Sequence, residues 1–561
     1  MVFIKTPKSP NTFIRQILLN EKPKLFHAKL TKNGYIIQKS ELNSLQELKN
    51  SLTVKPYLPD EDEKKIKSFP VYTEDKYSIT IPRFYGTHKY GNPIKSFSYD
   101  TKTNAIFTGK LRENQIVIVS NFYDKLIKKG GGILVAGCGV GKTTMGLYIG
   151  IEKLKEKILV LTHKTFLQDQ WMKRVKEFTT AKVGIIRQNK IASSDCDIVI
   201  GMIQSISKRD YDNSIFDRFG LVIIDEAHHF ASPIFSQALF KCGAKYIMGL
   251  TATPNRADKL TKVLHWHVGE VLYRQKKKPN RQVIAKIFKY TSTSPLFVEK
   301  LRWSPGGMKA NNVGMISNLI EIESRNNHIV NIINKIRKSP ERKILILSGR
   351  KAHLTELKNR VDKCIKEDEY NDILDKDEII TSFYMGGMKS YERQYAEENA
   401  DILFGTYDMA HEGLDIDRLN TIILATPKRN IIQAIGRIMR RILKIGDVRP
   451  LIIDIVDELS VFGENSQGRA RRWQYEENKY KIEKYILHNN KIEGTYENVL
   501  SLTNVEEIDN ICTDEQFSSS DEEDVFDDIR EKKEHKQHIP KPKKQQFKPH
   551  FKKIDYDEFA F

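Results

Sequence analysis

The stretch GILVAGCGVGKTT, residues 132–144, decides the fold. A short apolar run with strand character leads into a glycine-rich turn, and the helical segment TMGLYIGIEKLKEK follows it. Gly139 and Gly141 let backbone N–H groups approach a phosphate closely, and the amino end of a helix favours negative charge. Strand, turn and helix in this order predict a phosphate-binding loop inside an α/β fold.

The side chains of this loop are of the kinds that bind a nucleoside triphosphate. Lys142 is expected to reach the β- and γ-phosphates, and the Thr143 hydroxyl is expected to hold Mg²⁺. The first glycine of the usual pattern is replaced by Ala136. The predicted nucleotide-binding residues here are Ala136, Gly137, Cys138, Gly139, Val140, Gly141, Lys142, Thr143 and Thr144.

Short apolar runs on both sides of the loop extend the α/β pattern along the chain. ILVLT, DIVIG, LVIID and YIMGL follow with helical segments between them, and the pattern starts again with KILILS, DILFGT, TIILAT and LIIDIV. Continuous apolar runs of this length are typical of parallel strands that are buried on both faces. The sequence therefore predicts two tandem, doubly wound parallel-sheet lobes.

The remaining segments lack this alternation of strands and helices. The stretch with KKKPNR, SPGG and KANN is broken by Pro and Gly, and the end of the chain is first acidic and then basic. Serines 518–520 of that tail could accept phosphate. We predict an accessory domain at 1–108, a first lobe at 109–275, a basic linker or insertion at 276–320, a second lobe at 321–503 and a disordered tail at 504–561.

Composition limits the class of partner. The 561 residues carry a formal net charge of +20, which favours a polyanion such as nucleic acid. Five scattered cysteines without a C-x-x-C pair argue against a disulfide framework and a zinc site, and His229, His265 and His267 lack further ligands at metal spacing. No apolar run is long enough for a membrane span, so we expect a soluble intracellular protein without a membrane partner.

An acidic pair follows one of the predicted strands. Asp225 and Glu226 end the run LVIID and precede Ala227 and His228. In a nucleotide hydrolase, Asp225 would hold Mg²⁺ and Glu226 would orient or deprotonate the attacking water. An acidic cap after a strand is the structural alternative, but it does not explain two carboxylates downstream of a phosphate loop.

Four motifs in this order resemble those of the superfamily 2 helicases. They are A-x-x-x-x-G-K-T, Asp225-Glu226-Ala227-His228, Thr251-Ala252-Thr253 and QAIGRIMR at residues 433–440, and the resemblance covers residues 109–456. It implies two RecA-like lobes that clamp ATP and Mg²⁺ and move along nucleic acid. It also implies that Arg437 and Arg440, one helical turn apart, reach the γ-phosphate as arginine fingers from the second lobe.

The same resemblance assigns further residues to the nucleotide and to coupling. Gln115 would pair with the adenine edge with Arg112 beside it, and Gly413 and Asp415 would contact the nucleotide and the lobe interface. His228 would bond to the motif that carries Thr251 and Thr253, and Gln433 would join these residues in coupling hydrolysis to motion.

A nucleic-acid-binding track is predicted at the ends of other β-strands. Phosphate contacts by hydroxyls, cations and amides hold nucleic acid without reading its bases. The matching residues are Thr162, His163, Lys164, Gln204, Ser205, Ser348, Arg350 and Thr406.

Three short sequence segments indicate one branch of the family. HKTFLQDQW, TATPNRADKL and YMGGMK are similar to the duplex-DNA translocases, which include the xeroderma-pigmentosum group B helicase, type III restriction subunits and the transcript-release helicases of poxviruses and other large DNA viruses. This similarity implies action on DNA more than on RNA, a possible tie to transcription machinery, and a place in the host cytoplasm or virion. An RNA helicase, a duplex translocase without strand separation and a nucleic-acid-binding scaffold with an inactive ATP site are the alternatives.

Overall fold

The computed structural model describes residues 25–505 apart from short gaps. The predicted disordered tail, with serines 518–520, lies outside the described residues except for residues 504 and 505. The gaps are residues 26, 59–64, 94, 97–100, 138, 193–194, 213, 255, 257, 276–280, 305–306, 371–378, 413–415, 439–442 and 502–503.

A small sheet precedes the first lobe and packs onto it. Its order is β5-β6-β2-β1-β7, and β3 pairs separately with β4. The helix Arg83–Tyr90 contacts the first-lobe helix Thr261–Val268, and the Arg83 guanidinium donates to the carbonyl oxygens of Ala244 and Lys245 at 3.1 and 2.8 Å. The strands are β1 (Lys29–Thr31), β2 (Gly34–Gln38), β3 (Thr53–Val54), β4 (Phe69–Pro70), β5 (Thr73–Glu74), β6 (Ser78–Ile81) and β7 (Lys95–Ser96), and the other helix is Leu45–Ser51.

The first lobe is one eight-stranded sheet in the order β11-β10-β12-β9-β13-β14-β8-β15. All pairs are parallel except the pair of β10 with the edge strand β11. The strands are β8 (Gly131–Val135), β9 (Ile158–Thr162), β10 (Val183–Arg187), β11 (Lys190–Ala192), β12 (Ile198–Met202), β13 (Leu221–Asp225), β14 (Tyr246–Thr251) and β15 (Val271–Arg274). The helices are Glu113–Lys129, Lys142–Leu147 with a π-helical continuation Tyr148–Leu154, Thr165–Phe178, Ile203–Lys208, Ser214–Asp217, Pro233–Ala238 and Thr261–Val268.

The central strands explain why the lobe folds in this way. Every residue of β8, β9, β12 and β13 is buried, so the apolar runs are covered by helices on both faces. Polar residues can then appear only where these strands end. The carboxyl ends of parallel strands meet at one edge of the sheet, and ligands bind there in open α/β sheets.

The second lobe repeats this plan in a sheet of order β20-β21-β19-β22-β23-β16-β24-β25, parallel except for the last pair. The predicted fold of two parallel-sheet lobes is confirmed. The strands are β16 (Ile284–Thr291), β17 (Leu301–Ser304), β18 (Gly307–Ala310), β19 (Ile344–Ser348), β20 (Thr381–Tyr384), β21 (Ile402–Thr406), β22 (Thr421–Leu424), β23 (Leu451–Asp457), β24 (Lys481–His488) and β25 (Lys491–Ile492). The helices are Asn312–Leu319, Glu323–Ile336, Lys351–Tyr370, Ser390–Asn399, Tyr407–Glu412, Ile432–Ile435, Gln467–Glu477 and Tyr496–Val499.

The prediction of a linker or insertion at residues 276–320 was wrong at residues 284–291, which form a strand of the second-lobe sheet. The strand β16 lies between β23 and β24 and pairs with both along its length. The segment IAKIFKYT was not predicted as a buried strand because it contains two lysines. Lys286 is nevertheless buried, and its ammonium group lies 2.9 Å from the Glu483 carboxylate. The antiparallel hairpin of β17 and β18 and the helix Asn312–Leu319 also lie in the range.

No helix in the described part of the chain is long and apolar enough to cross a membrane.

Candidate active site

The phosphate-binding loop follows β8 at the carboxyl edge of the first sheet. Gly139 and Gly141 have φ of 78° and 89°, a region that side chains rarely adopt. A Cβ atom on Gly141 would also lie 2.3 Å from Nε2 of Gln115. Only glycine satisfies both conditions at residue 141. Cys138 of this loop lies outside the described residues.

Lys142 begins the helix that follows the loop, and its side chain turns back over it. The ammonium group donates to the carbonyl oxygens of Ala136 and Gly137, both at 3.2 Å. These two neutral acceptors hold the cation above the turn, where a phosphate oxygen would be a stronger partner. The Gly137 N–H donates to Oε1 of Gln275, a contact that sequence reasoning missed.

Gln115 braces the loop from the helix Glu113–Lys129. Its side chain is buried, donates to the Val140 carbonyl at 2.7 Å and accepts from the Arg112 N–H at 2.9 Å. Both ends of the amide therefore bond to backbone groups. The structure places Gln115 against the loop and bonds the Arg112 N–H to its side chain, and contact of either residue with an adenine stays a prediction.

Asp225 ends β13 at the same edge, and a tryptophan fixes its carboxylate. Oδ1 accepts from the Glu226 N–H at 3.0 Å, and Oδ2 accepts from the indole Nε1–H of Trp171 at 2.8 Å. Trp171 is buried in the helix Thr165–Phe178. Sequence reasoning did not assign Trp171 a role, although a buried indole N–H usually needs an acceptor and an acidic strand end supplies one.

Glu226 has a strained backbone conformation and a largely buried side chain. Its φ is 46°, uncommon for a residue with a side chain, and only 12% of the side chain is exposed. Oε2 is buried without a hydrogen-bond partner among the described residues. Burial raises the pKa of this carboxyl above its usual range, while the charges of Lys142, Arg437 and His229 oppose the rise and Asp225 adds to it.

Arg437, a residue of the second lobe, opposes the rise in the pKa of the Glu226 carboxyl. Arg437 is buried, and its Nε donates to the Ala410 carbonyl at 2.6 Å. Its charge acts on the Glu226 carboxyl together with that of Lys142. The finger role of Arg437 stays a prediction. Arg440, Gly413 and Asp415 lie outside the described residues.

Two contacts join the lobes beside this site. Phe166 packs against a buried second-lobe cluster, and Arg393 lies 4.0 Å from the Asp169 carboxylate. Burial raises the pKa of Asp169, and the Arg393 guanidinium opposes that rise. Both first-lobe residues are on the helix that carries Trp171, so this helix reaches from the Asp225 carboxylate to the second lobe.

His228 and Thr251 lie within hydrogen-bond distance, as expected for the predicted coupling pair. Nδ1 of His228 is 3.0 Å from Oγ1 of Thr251, which also accepts from the Thr253 N–H at 3.1 Å. Arg256, which sequence reasoning missed, donates to the His228 carbonyl and pairs with Asp258. Gln433 is half-buried on its helix. A coupling role for these residues stays a prediction.

Three imidazole rings connect the acidic pair with the predicted track. The His228 and His229 ring centroids lie 4.1 Å apart, and the His229 and His163 centroids lie 4.2 Å apart. His163 belongs to the track, whereas His228 lies beside Glu226. The three tilted rings lie in a row between the two regions, and the sequence had assigned His229 no role there.

The structure corrects the track at Thr162 and Ser348. Both side chains are fully buried, so neither hydroxyl can contact a phosphate directly. Ser348 instead accepts from the Arg350 N–H at 3.1 Å, and Thr162 lies against Met202. A hydroxyl at the end of a strand can face either inward or outward, and the sequence does not distinguish the two.

The other track residues divide between internal support and accessible groups. Gln204 donates to the His163 carbonyl at 2.5 Å, and buried Ser205 accepts from the Gln188 N–H at 2.9 Å. Lys164, Arg350 and Thr406 keep partly exposed side chains at the carboxyl edges of the two sheets. These three are the candidates for phosphate contacts.

The donor set beside the loop fits a magnesium ion. Mg²⁺ prefers oxygen ligands and retains several waters, and Asp225 and Thr143 offer a carboxylate and a hydroxyl. Each Asp225 oxygen accepts one hydrogen bond and keeps a lone pair. The unpartnered Oε2 of Glu226 can accept from a water in the same region.

We expect Trp171→Phe to raise the magnesium concentration needed for half-maximal nucleotide binding by about 10–100-fold. Phenylalanine keeps a ring in the core but removes the N–H that fixes the Asp225 carboxylate. Fluorescent-nucleotide titrations at several magnesium concentrations measure the effect. Trp266→Phe is the matched control, since Trp266 lies in the same lobe as Trp171 but packs against Tyr85 of the helix Arg83–Tyr90. Equal magnesium dependence of Trp171→Phe and wild type would contradict the positioning role.

Comparison with known proteins identifies similar chains. The protein-family model of the type III restriction enzyme res subunit matches residues 108–256. The protein-family model of the helicase conserved C-terminal domain matches residues 324–442. A protein of Acanthamoeba polyphaga mimivirus, described as an ATP-dependent RNA helicase, is 36% identical over 474 residues, which are 82% of this chain and 87% of that protein.

More distant matches share part of this region. A protein of Invertebrate iridescent virus 6, described as a helicase, is 28% identical over 63% of this chain and 78% of its own length. A fragment of an HsdR subunit of a type I restriction enzyme from Vibrio vulnificus YJ016 aligns with a TM-score of 0.46 and 14% identity over 69% of this chain and 71% of that chain.

Proposed function

The chain belongs to the superfamily 2 helicases and is an ATP-hydrolysing helicase, and from this premise we propose that it moves along DNA by closing and opening its two lobes around ATP. The observation that supports the mechanism is that Lys142 on the phosphate-binding loop and the acidic pair at the end of β13 lie at the same edge of the first sheet. Lys142 and Asp225 act on the Glu226 carboxyl from the first lobe, and Arg437 acts on it from the second. A site divided in this way is complete only when the lobes meet.

In this proposal each residue has one task. Lys142 leaves the two carbonyls that now hold it and binds the β- and γ-phosphates. Thr143 and Asp225 would hold Mg²⁺, which would supply positive charge to neutralise the phosphates. Glu226 orients the attacking water and accepts its proton, which its raised pKa favours. Arg437 and Arg440 stabilise the charge of the transferring phosphoryl group.

Hydrolysis then drives motion through lobe closure. The His228–Thr251 contact and the imidazole stack that ends at His163 connect the acidic pair with the track. Lys164 grips the strand from the first lobe, and Arg350 and Thr406 grip it from the second. Alternating the distance between these grip points with each ATP cycle moves the chain along the strand.

DNA is the proposed substrate, and RNA is the second candidate. The match of the first lobe to the restriction-enzyme res subunit supports DNA. The mimivirus relative is described as an RNA helicase, which supports RNA. We further propose a role in duplex opening or transcript release during viral transcription, in the host cytoplasm or virion. The viral source of the two relatives supports only the viral part of this proposal.

The experiment compares single-stranded DNA, duplex DNA and RNA as activators of ATP hydrolysis by the full chain. We expect DNA to stimulate turnover more than RNA, and ATP to drive displacement of a strand from a duplex with an overhang. Stronger stimulation by RNA would replace DNA with RNA in the proposal. Stimulation by duplex without displacement would identify a translocase, and nucleic-acid binding without hydrolysis would indicate a scaffold.

A further inference from the structure

The hairpin of β17 and β18 leaves the second lobe at the edge where the track lies. It follows the carboxyl end of β16, and the helix Asn312–Leu319 follows it. Its base is anchored, since the Asn311 N–H donates to the Lys300 carbonyl at 2.7 Å and the Lys300 ammonium donates to Asn318 at 2.6 Å. A hairpin fixed in this way presents its side chains in a defined direction.

The pairing register gives the hairpin two different faces. Leu301, Trp303 and Met308 share one face, because Trp303 pairs with Met308 and alternate residues of a strand point the same way. Their exposed fractions are 51%, 76% and 60%. Arg302 and Lys309, which pair with each other, lie on the opposite face. The hairpin is therefore apolar and exposed on one side and basic on the other.

The basic face adjoins a residue of the predicted track. Arg302, Lys309 and Val313 line an open hollow of about 450 Å³. The Val313 carbonyl accepts from Nη2 of Arg350 at 3.2 Å. Arg350, a candidate phosphate contact, thus borders the hollow that Arg302 and Lys309 line.

Charge and ring chemistry together select the occupant. A chain of net charge +20 with paired cations at a hollow attracts a polyanion. A large exposed aromatic ring on the opposite face of the same hairpin suits a nucleic-acid base, which offers a flat surface and is attached to a phosphate. The ribbon is two strands wide, about 4.8 Å between strands, so one flexible nucleic-acid strand can pass an edge and contact both faces.

We propose that this hairpin is a second nucleic-acid contact, in which Trp303 stacks on an unpaired base while Arg302 and Lys309 bind neighbouring phosphates. It extends the track from Arg350 and rests on the proposed function. The contact is independent of sequence, because every base has a face on which an indole can stack.

The test is binding of a fluorescein-labelled pyrimidine homopolymer, as DNA and as RNA, to the full chain. Trp303→Ala should raise Kd by roughly 5–100-fold, and Trp303→Phe should recover most of the loss. Tyr370→Ala is the matched control, because Tyr370 is 90% exposed at the far end of the helix that begins at Lys351. It should bind as wild type does.

Two further arms separate stacking from charge. On a strand of abasic sites, Trp303→Ala and wild type should bind equally. The double variant Arg302→Ala, Lys309→Ala should lower the slope of log Kd against log salt by roughly 0.7 for each lost phosphate contact, whereas Trp303→Ala should leave it unchanged.

Other outcomes have distinct meanings. Failure of the wild-type chain to bind any strand would remove the proposed function itself. Wild-type binding that Trp303→Ala leaves intact, with unchanged melting temperature, would overturn the hairpin contact alone. Loss of self-association in Trp303→Ala with nucleic-acid binding intact would assign the apolar face to a second copy and also overturn it.

Discussion

Replacing Arg437 with alanine is expected to lower the rate of ATP hydrolysis by about 10³–10⁵-fold at saturating nucleic acid. The buried guanidinium is the second-lobe charge that acts on the Glu226 carboxyl. Its proposed partner is negative charge that develops during phosphoryl transfer. The loss should therefore fall on turnover, and ATP affinity should stay within about tenfold of the parent. Steady-state and single-turnover hydrolysis measure both quantities.

Arg437→Lys is the control for charge alone. Lysine retains the charge but not the planar fork of donors, so we expect a partial recovery of turnover. Melting temperature separates this effect from loss of the Arg437 hydrogen bond to Ala410. Turnover at the parent rate in Arg437→Ala would remove the residue from the finger role.

Glu226→Gln is expected to lower hydrolysis by about 10²–10⁴-fold while ATP still binds. The amide fits the same space but cannot accept a proton from the attacking water. Lys142→Ala supplies the contrast, because loss of its ammonium group should weaken ATP binding itself. Nucleotide titration beside hydrolysis distinguishes the two variants. Undiminished turnover in Glu226→Gln would refute its role as base.

The pH profile gives an independent measure of Glu226. A general base must be ionised, and burial raises the pKa of this carboxyl. Wild-type turnover should therefore fall as pH decreases through a value above the usual glutamate range. The residual activity of Glu226→Gln should lack that acid limb. An identical limb in both proteins would assign it to another group.

The sequence was sufficient for the lobes because parallel strands covered on both faces must be continuously apolar. The runs that end at Val135, Thr162 and Asp225 follow this rule, and their ends marked the site. The strand β16 breaks the rule, since its buried Lys286 is balanced by Glu483 and by the Val499 carbonyl, both about two hundred positions away in the chain. No local pattern reports a partner at that distance.

Side-chain direction was the other limit. The sequence placed Thr162 and Ser348 at strand ends but could not show that both hydroxyls face the interior. It also gave no partner for Trp171, because its acceptor Asp225 lies at the end of β13, 54 positions along the chain from the helix that carries Trp171. Residues whose task follows from chemical type, such as Lys142 and the acidic pair, were easier to assign than residues whose task follows from packing.

The helix Thr165–Phe178 connects the nucleotide pocket with the contact between the two lobes. It has 14 residues and is about 21 Å long. Phe166 and Asp169 bear on the second lobe at one end, and Trp171 grips Asp225 further along. Because a helix is stiffer than a loop, we expect it to transmit a rotation of the second lobe directly to Asp225. We therefore expect separation of the lobes and release of the hydrolysed nucleotide to be coupled through this helix.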